Sequence, residues 1–324
     1  MTTTGPRFSL VIQDDLQRVE QQIKGIVQQT ASRAISPMLA HALEVPGKRV
    51  RPTLTLLASR FGHGVSDVVV LMASAVELLH LATLLHDDTV DAASTRRGRA
   101  TLNAVWGPHA AVLVGDYLFA ASATQVCDTG DIRVIRRFAQ TIMDLSSGQI
   151  LEQVHLYDPA VQRQQYVERI SAKTASLFAT ALESGAVLGR AEEAAVQALT
   201  SYGWNLGMAF QVIDDILDFE GDADELGKPV GEDLANGVLT LPAIMLLERH
   251  PESDLIRTYF RDRSRKDCLE GALKIVRESG IIQESYVEAM AFRDKALRSL
   301  DALPDNAERD ALREIASFVV KRKR

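Results

Sequence analysis

The sequence predicts an all-α fold, on three observations. Alanine, leucine, glutamate, glutamine and arginine are plentiful while aromatic residues are only 6% of the chain, a balance that favours helix. No stretch alternates apolar and polar residues with the period of two of a half-buried strand. Long apolar segments run directly into carboxylates or into basic, glycine-containing loops.

In chain order, helices are predicted near residues 10–31, 53–61, 66–90, 101–127, 131–155, 161–188, 192–219, 238–249, 253–261, 266–279, 282–303 and 305–321. The third contains Leu78-Leu79-His80-Leu81-Ala82-Thr83-Leu84-Leu85-His86, an apolar run closed by aspartates. In the fourth, Asn103, Gly107 and Pro108 are positioned to bend or divide the helix, since proline brings no amide donor. The seventh carries Met208-Ala209-Phe210-Gln211-Val212-Ile213, again closed by aspartates. No linker rich in Gly, Ser or Pro separates two halves and no short-period repeat is present, so residues 1–324 are expected to form a single all-α domain.

Composition narrows the function classes. At 324 residues and 46% apolar content, the chain has ample material for a large core. A net charge of −7 excludes a general nucleic-acid binder, which needs a basic surface for phosphate contacts. Cys127 and Cys268 give neither a metal-ligand spacing nor a disulfide framework, so a reducing cytoplasmic setting is expected. Met1-Thr2-Thr3-Thr4-Gly5-Pro6 lacks a charged n-region before an apolar core, and no secretory signal is expected. Val68 to Leu85 is long and apolar enough to suggest a membrane span. Because Glu77 and His80 interrupt it and three aspartates close it, a buried helix is the expectation.

The strongest functional signal is a duplicated acidic pattern. Asp87-Asp88-Thr89-Val90-Asp91 and Asp214-Asp215-Ile216-Leu217-Asp218 each place carboxylates at i, i+1 and i+4. At about 100° per residue, the first and last aspartates of each set share a helix face and the middle one flanks them. A single copy is most often a solvated acidic face. Two copies, each continuing an apolar segment, point instead to paired metal sites facing one another across a common cavity. Clustered like charges need cations to remain ionised, and hard carboxylate oxygens suit Mg2+, which is usually completed by substrate phosphates.

Basic groups complement the acids. Gly47-Lys48-Arg49-Val50-Arg51-Pro52 is a short cationic loop, and Arg96-Arg97-Gly98-Arg99 follows the first acid set. Arginine binds phosphate oxygens bidentately, whereas lysine acts as a compact point charge. Taken alone, either cluster is more often solvated surface. Lys173 and Thr174 lie within the apolar Ile170–Ala175 stretch, where burial is costly unless they meet an anion or water; the bland alternative is a snorkelling lysine. Lys228 lies in Gly227-Lys228-Pro229-Val230-Gly231-Glu232-Asp233, which is not a P-loop. The acids and glycine between Asp214 and Glu225 are out of register for an EF-hand.

With these residues in place, the chain closely resembles the trans-type isoprenyl diphosphate synthases, or polyprenyl synthetases. The matching landmarks are Gly47 to Pro52, Leu84 to Asp91, Arg96-Arg97-Gly98, Gly115-Asp116-Tyr117-Leu118, Lys173-Thr174, Phe210 to Asp218 and Gly227-Lys228-Pro229, in the family's order and over most of the chain. The ending Phe318-Val319-Val320-Lys321-Arg322-Lys323-Arg324 also looks like the basic terminus of longer-chain members.

The resemblance implies an all-α fold of antiparallel helices around a deep apolar cavity, a homodimer, and Mg2+-dependent condensation of an allylic diphosphate with isopentenyl diphosphate, with three metal ions when substrate is bound. Farnesyl or geranylgeranyl diphosphate is the expected primer. Asp87, Asp91 and Asp214 would be the principal metal ligands, supported by Asp88, Asp215 and Asp218. Arg96, Lys173 and Lys228 would hold the allylic diphosphate, and Lys48, Arg51, His80 and Arg97 isopentenyl diphosphate. Thr174 and Gln211 would stabilise the allylic end. The departing diphosphate takes the proton, so no side chain is assigned as general base.

Product length follows from helical geometry. Ala82 and Thr83 lie one turn before Asp87 and Leu79 a further turn away, and none is a bulky aromatic that would stop a growing chain. A product of about C30–C50 is therefore expected; in the alternative, Phe119 or Leu145 supplies the floor and the product is shorter, at the farnesyl or geranylgeranyl level. Transient membrane contact would release so apolar a product. A class I terpene cyclase usually has an Asn/Ser/Glu-type second motif and lacks the Gly-Lys-Arg-x-Arg loop, both unlike this chain. A non-catalytic, lipid-binding subunit of a heteromeric synthase generally loses the metal aspartates, which are present here.

Two positions depart from the family pattern. Pro46 stands where a glycine is usual, which stiffens the loop before Lys48. Val238, in Gly237-Val238-Leu239-Thr240, stands where the family usually has a lysine contacting the allylic diphosphate. Val238→Lys is expected to lower the KM for the allylic substrate or raise kcat in steady-state assays; no change in either would mean that another group covers the role.

Overall fold

Helices form almost wherever the apolar periodicity placed them, and the exceptions are short elements or backbone irregularities. The structure, a computed structural model, describes residues 12–29, 34–44, 48–96, 98–220 and 230–322. Pro46, Gly47, Arg97, Gly227, Lys228, Pro229, Lys323 and Arg324 lie outside the described residues, as do both ends of the helix predicted over 10–31.

The chain runs α1 (Gln13–Gln29), α2 (Ser36–Leu43), α3 (Val50–Ser59), α4 (Asp67–Val90), a hairpin of β1 (Thr95–Arg96) and β2 (Arg99–Ala100), α5 (Leu102–Trp106), α6 (Pro108–Asp128), α7 (Ile132–Val154), α8 (Arg163–Ile170), a π-helical turn (Ser171–Ala175), α9 (Ser176–Leu188) and α10 (Glu193–Glu220). There follow α11 (Glu232–Ala235), α12 (Leu241–Arg249), α13 (Leu255–Arg261), α14 (Lys266–Glu278), α15 (Ile281–Ser299), a 3-10 turn (Leu300–Ala302) and α16 (Ala307–Lys321).

The differences from expectation have local causes. The α2 and α11 helices are too short for a 3.6-residue period to stand out. Helix α3 starts before Pro52 because proline is tolerated in a first turn, where its missing amide has no helical partner to lose. Gly107, at φ +84°, divides α5 from α6, as its sequence context suggested. The segment predicted as one helix over 161–188 is interrupted by the π-helical turn carrying Lys173 and Thr174. The hairpin pairs Thr95 with Ala100 and Arg96 with Arg99; two residues per strand are too few to alternate visibly.

The chain gathers into two compact units. The first comprises residues 1–140, 180–200 and 302–312, and the second residues 141–179, 201–301 and 313–324. In the first, α4 packs against α1, α3 and α6. A helix apolar on nearly every side must be surrounded, and Leu78, Leu79 and Ala82 are fully buried. Of its two buried acids, Glu77 receives Arg49 Nη1 at 2.8 Å, and Arg49 Nε reaches Glu20 at 2.5 Å. Among the described residues α4 and α6 are long and apolar enough to cross a membrane, but 72% of the most apolar window of α4 is buried in protein. In the second unit, α12 packs on α8, α14 and α15 around Tyr166, Met208, Ile216, Phe219, Ile244 and Tyr259.

One close approach in the second unit sets the position of the π-helical turn. A Cβ at Gly148 of α7 would lie 2.7 Å from the Lys173 amide nitrogen and 3.0 Å from its Cα, so only glycine lets α7 come this near. Backbone cannot swing aside as a flexible side chain can. Gly148→Ala is expected to destabilise the protein by roughly 1–3 kcal/mol, the usual cost of overpacking, measured by denaturant unfolding. An unchanged midpoint would mean that the two backbones are not in contact.

Candidate active site

In the first unit, the first acid set occupies the last turn of α4. Asp91 caps the helix, its amide donating to the Asp87 carbonyl at 2.8 Å, and no basic residue lies in that turn. Three carboxylates thus sit at the negative end of a helix dipole, where cations rather than anions are stabilised. Their environments differ. Asp88 is buried and accepts Arg96 Nε at 2.6 Å, because the β1–β2 hairpin turns Arg96 back over the helix end. Asp87 is half-buried and Asp91 exposed.

The helix end is fixed from the side by α6. A Cβ at Gly115 would fall 2.3 Å from His86 Nε2, and the same nitrogen lies 3.2 Å from the Val112 carbonyl and 3.3 Å from Asp116. Gly115 and Asp116 belong to a landmark whose role the sequence left open. Further down α4, Leu79 and Ala82 are buried, and half-buried Thr83 donates to the His80 carbonyl at 2.7 Å. In the cationic loop, Arg49 turns inward to Glu20 and Glu77, leaving Lys48 exposed and Arg51 half-buried in the first turn of α3.

In the second unit, the second acid set lies near the C-terminal end of α10, again with no basic residue in the last turn. Buried Asp215 is gripped on both oxygens: Tyr166 Oη donates to Oδ2 at 2.6 Å and Gln211 Nε2 to Oδ1 at 2.8 Å. Burial still pushes its pKa up to about 7, with the two hydrogen bonds and Arg169 pulling down and Asp214 pushing up. Asp218, also buried, accepts the amides of Glu232 and Asp233 at 3.2 Å each and so caps the start of α11. Asp214 is the more exposed member, and Arg322 Nη2 meets it at 3.2 Å while that guanidinium lies over the Phe210 ring at 3.7 Å.

The π-helical turn presents Lys173 and Thr174. Lys173 Nζ contacts Glu152 Oε1 at 2.5 Å, and Thr174 Oγ1 donates to Gln211 Oε1 at 2.7 Å, joining the Gln211–Asp215 bond in one chain. A π-helical turn widens a helix locally and is frequent at functional sites.

Within each unit, then, predicted residues converge: Arg96 on Asp88 in the first, and Thr174, Gln211 and Asp215 in the second. Lys173, also in the second unit, contacts Glu152. Arg97 and Lys228 fall outside the described residues. Five further residues belong to these networks: Glu152, Tyr166, Arg169, Asp233 and Arg322. Tyr166, Arg169 and Lys173 follow i, i+3, i+7 spacing, a signal that could have found two of them. Glu152 and Asp233 carry no such signal, being brought in by packing.

The donor chemistry fits a hard divalent cation. Among the described residues no group of three or more His, Cys, Asp or Glu side chains forms a ready cage. Mg2+ does not require one, since it is usually held by one or two carboxylates with water and substrate phosphates. Negative charge is locally in surplus: burial raises the Asp233 pKa well above the usual carboxylate range, and Asp218, Asp215, Asp214 and Glu152 push it further. The second unit is therefore short of positive charge, and its carboxylates are suited to a cation.

Comparison with known proteins identifies the family. The polyprenyl synthetase family model matches residues 32–276. The chain is 36% identical over 311 residues to heptaprenyl diphosphate synthase component 2 of Geobacillus stearothermophilus, covering 96% of this chain and 97% of that protein. Among solved structures, a decaprenyl diphosphate synthase from Rhodobacter capsulatus superposes with a TM-score of 0.92 at 36% identity, covering 98% of this chain and 99% of that one. A polyprenyl synthase from Caulobacter crescentus CB15, crystallised with calcium and isoprenyl diphosphate, gives a TM-score of 0.92 at 34% identity over 98% of this chain and 97% of that one. The all-α architecture is that of the isoprenoid synthases, and the chain belongs to the polyprenyl synthetase family as a long-chain trans-isoprenyl diphosphate synthase, a prenyltransferase.

Proposed function

We propose that this enzyme joins successive isopentenyl diphosphates head to tail onto a farnesyl or geranylgeranyl diphosphate primer, to a product of about C30–C50. The family uses isopentenyl and allylic diphosphates and is generally Mg2+-dependent. The observation that carries the reading is the shared division of labour in the two acid sets. In each, the middle aspartate is buried and held by protein donors, while the first keeps solvent exposure.

Asp87, Asp91 and Asp214 would hold Mg2+, three ions with substrate bound, and the metal would supply positive charge against a departing diphosphate. Asp88, Asp215 and Asp218 hold the local frame, through Arg96, through Tyr166 and Gln211, and through the start of α11. Arg96, Lys173 and Lys228 bind the allylic diphosphate, and Lys48, Arg51, His80 and Arg97 bind isopentenyl diphosphate. Cations placed before ionisation stabilise charge as it develops. Thr174 and Gln211 offer oxygen dipoles to the allylic cation, whose double-bond attack by isopentenyl diphosphate is followed by proton loss to the released diphosphate. Apolar walls exclude water that would quench the cation. We place Leu79, Ala82 and Thr83 along the growing chain.

A homodimer is part of this proposal. Helix α7 exposes Ile132, Met143, Ile150 and Val154 within roughly 40° of one face, an apolar stripe suited to a second copy. The enzyme is assigned to the cytoplasm, touching membrane transiently to release product. A second reading has one observation in its favour, the name "component 2" of the Geobacillus relative: the chain acts with a different subunit.

Purified protein with Mg2+, isopentenyl diphosphate and farnesyl diphosphate should yield long linear diphosphates by chromatography. Hydrocarbon products would indicate a cyclase, and turnover only with an added partner would support the second reading. Asp87→Asn, Asp91→Asn and Asp214→Asn should each cut kcat by about 10²-fold or more while leaving circular dichroism unchanged; near-normal turnover would remove these residues from the metal site. Thr83→Phe should shift the products to shorter chains at similar total turnover, and an unaltered length distribution would place the floor elsewhere.

A further inference from the structure

We propose that Arg169 is a positioning residue for the allylic diphosphate, supplying from α8 the positive charge that Val238 does not. This rests on the proposed role of Lys173, in the second unit, in binding the allylic diphosphate. Arg169 is 3% exposed, and its Nη2 donates to the Leu239 carbonyl at 2.8 Å, one residue from Val238. The Val238 amide itself donates to the Asp233 carbonyl at 2.8 Å, so the segment is tied on one side to the acidic turn and on the other to this guanidinium.

The charge of Arg169 is incompletely matched. Its Nε lies 3.9 Å from Glu152 Oε2, beyond hydrogen-bond reach, while Glu152 Oε1 is engaged by Lys173 at 2.5 Å. Two cations thus share one carboxylate. The guanidinium carbon also lies 5.6 Å from the centre of the Tyr166 ring, whose hydroxyl holds Asp215. Arg169 and Lys173 are four residues apart and separated by less than one π-widened turn, so both belong to the side that faces Glu152. A buried charge in a low-dielectric surrounding acts over several ångströms. It offsets the charge of Glu152 and of the Tyr166-held Asp215, which would otherwise repel a diphosphate approaching Lys173.

The test is calorimetric binding of farnesyl diphosphate in Mg2+ without isopentenyl diphosphate, paired with steady-state KM values for both substrates. Arg169→Gln keeps a donor for Leu239 and removes the charge; it should weaken farnesyl diphosphate binding about tenfold and leave the isopentenyl KM within about twofold. Arg169→Lys should stay within about threefold of the parent. Adding Val238→Lys to Arg169→Gln should restore most of the loss, whereas Val238→Lys alone should change binding by less than about twofold, in place of the improvement expected from sequence, because Arg169 already covers the role. Equal binding by Arg169→Gln, or no rescue in the double variant, overturns the inference. So does about tenfold tighter binding by Val238→Lys alone, a variant that leaves Arg169 in place and so tests the idea even if Arg169→Gln does not fold. Parent protein that neither binds farnesyl diphosphate nor extends it overturns the site reading itself; parent protein that does both, beside an unaffected Arg169→Gln, overturns the inference alone.

Discussion

Carboxylates gathered at the negative ends of apolar helices are the constraint around which this enzyme is built. Helices α4 and α10 each finish in an acid triple without a basic residue in the last turn. Backbone carbonyls and side-chain charges then have the same sign, and the arrangement is costly unless cations arrive. The protein offsets part of that cost itself, with Arg96 on Asp88 in one unit and Arg322 on Asp214 in the other. Around Asp233 the offset is incomplete, and burial with four neighbouring carboxylates holds its pKa far above the ordinary range. Such a surplus suits a metal cation, because the binding energy comes from neutralising charge that the fold already holds in place.

The triples are not three equal ligands. Their middle members are buried and spend their oxygens on protein donors: one arginine for Asp88, a tyrosine and a glutamine for Asp215. Asp218 is also buried, but its oxygens go to backbone amides at the start of α11. A carboxylate satisfied in this way orients its neighbours and is poorly placed to give up its bonds to an incoming ion. Asp87, Asp91 and Asp214 keep more solvent exposure. These are the three proposed as principal metal ligands.

Backbone irregularity carries as much of the site as helical regularity does. The π-helical turn places Lys173 against Glu152 and Thr174 against Gln211, and Gly148 lets α7 approach it closely enough to hold that geometry. The β1–β2 hairpin does the same for Arg96. None of these features has a periodic signature: each spans six residues or fewer, less than the window in which a repeat can be recognised.

Helix type, the order of the long helices and the two acid triples with their basic companions were legible in the sequence, because 3.6-residue apolar periodicity and i, i+1, i+4 spacing are local properties of the chain. Gly107 even marked where a helix divides, through the backbone angle it adopts. Tertiary structure alone decided that Arg49 of the cationic loop belongs to Glu77, that Tyr166 reaches Asp215, and that Glu152 stands between Lys173 and Arg169. Those pairings join residues from 21 to 49 positions apart in the Tyr166–Asp215, Lys173–Glu152 and Arg49–Glu77 contacts. Spacing along a helix fixes which side chains share a face; which charge neutralises which depends on how the faces pack.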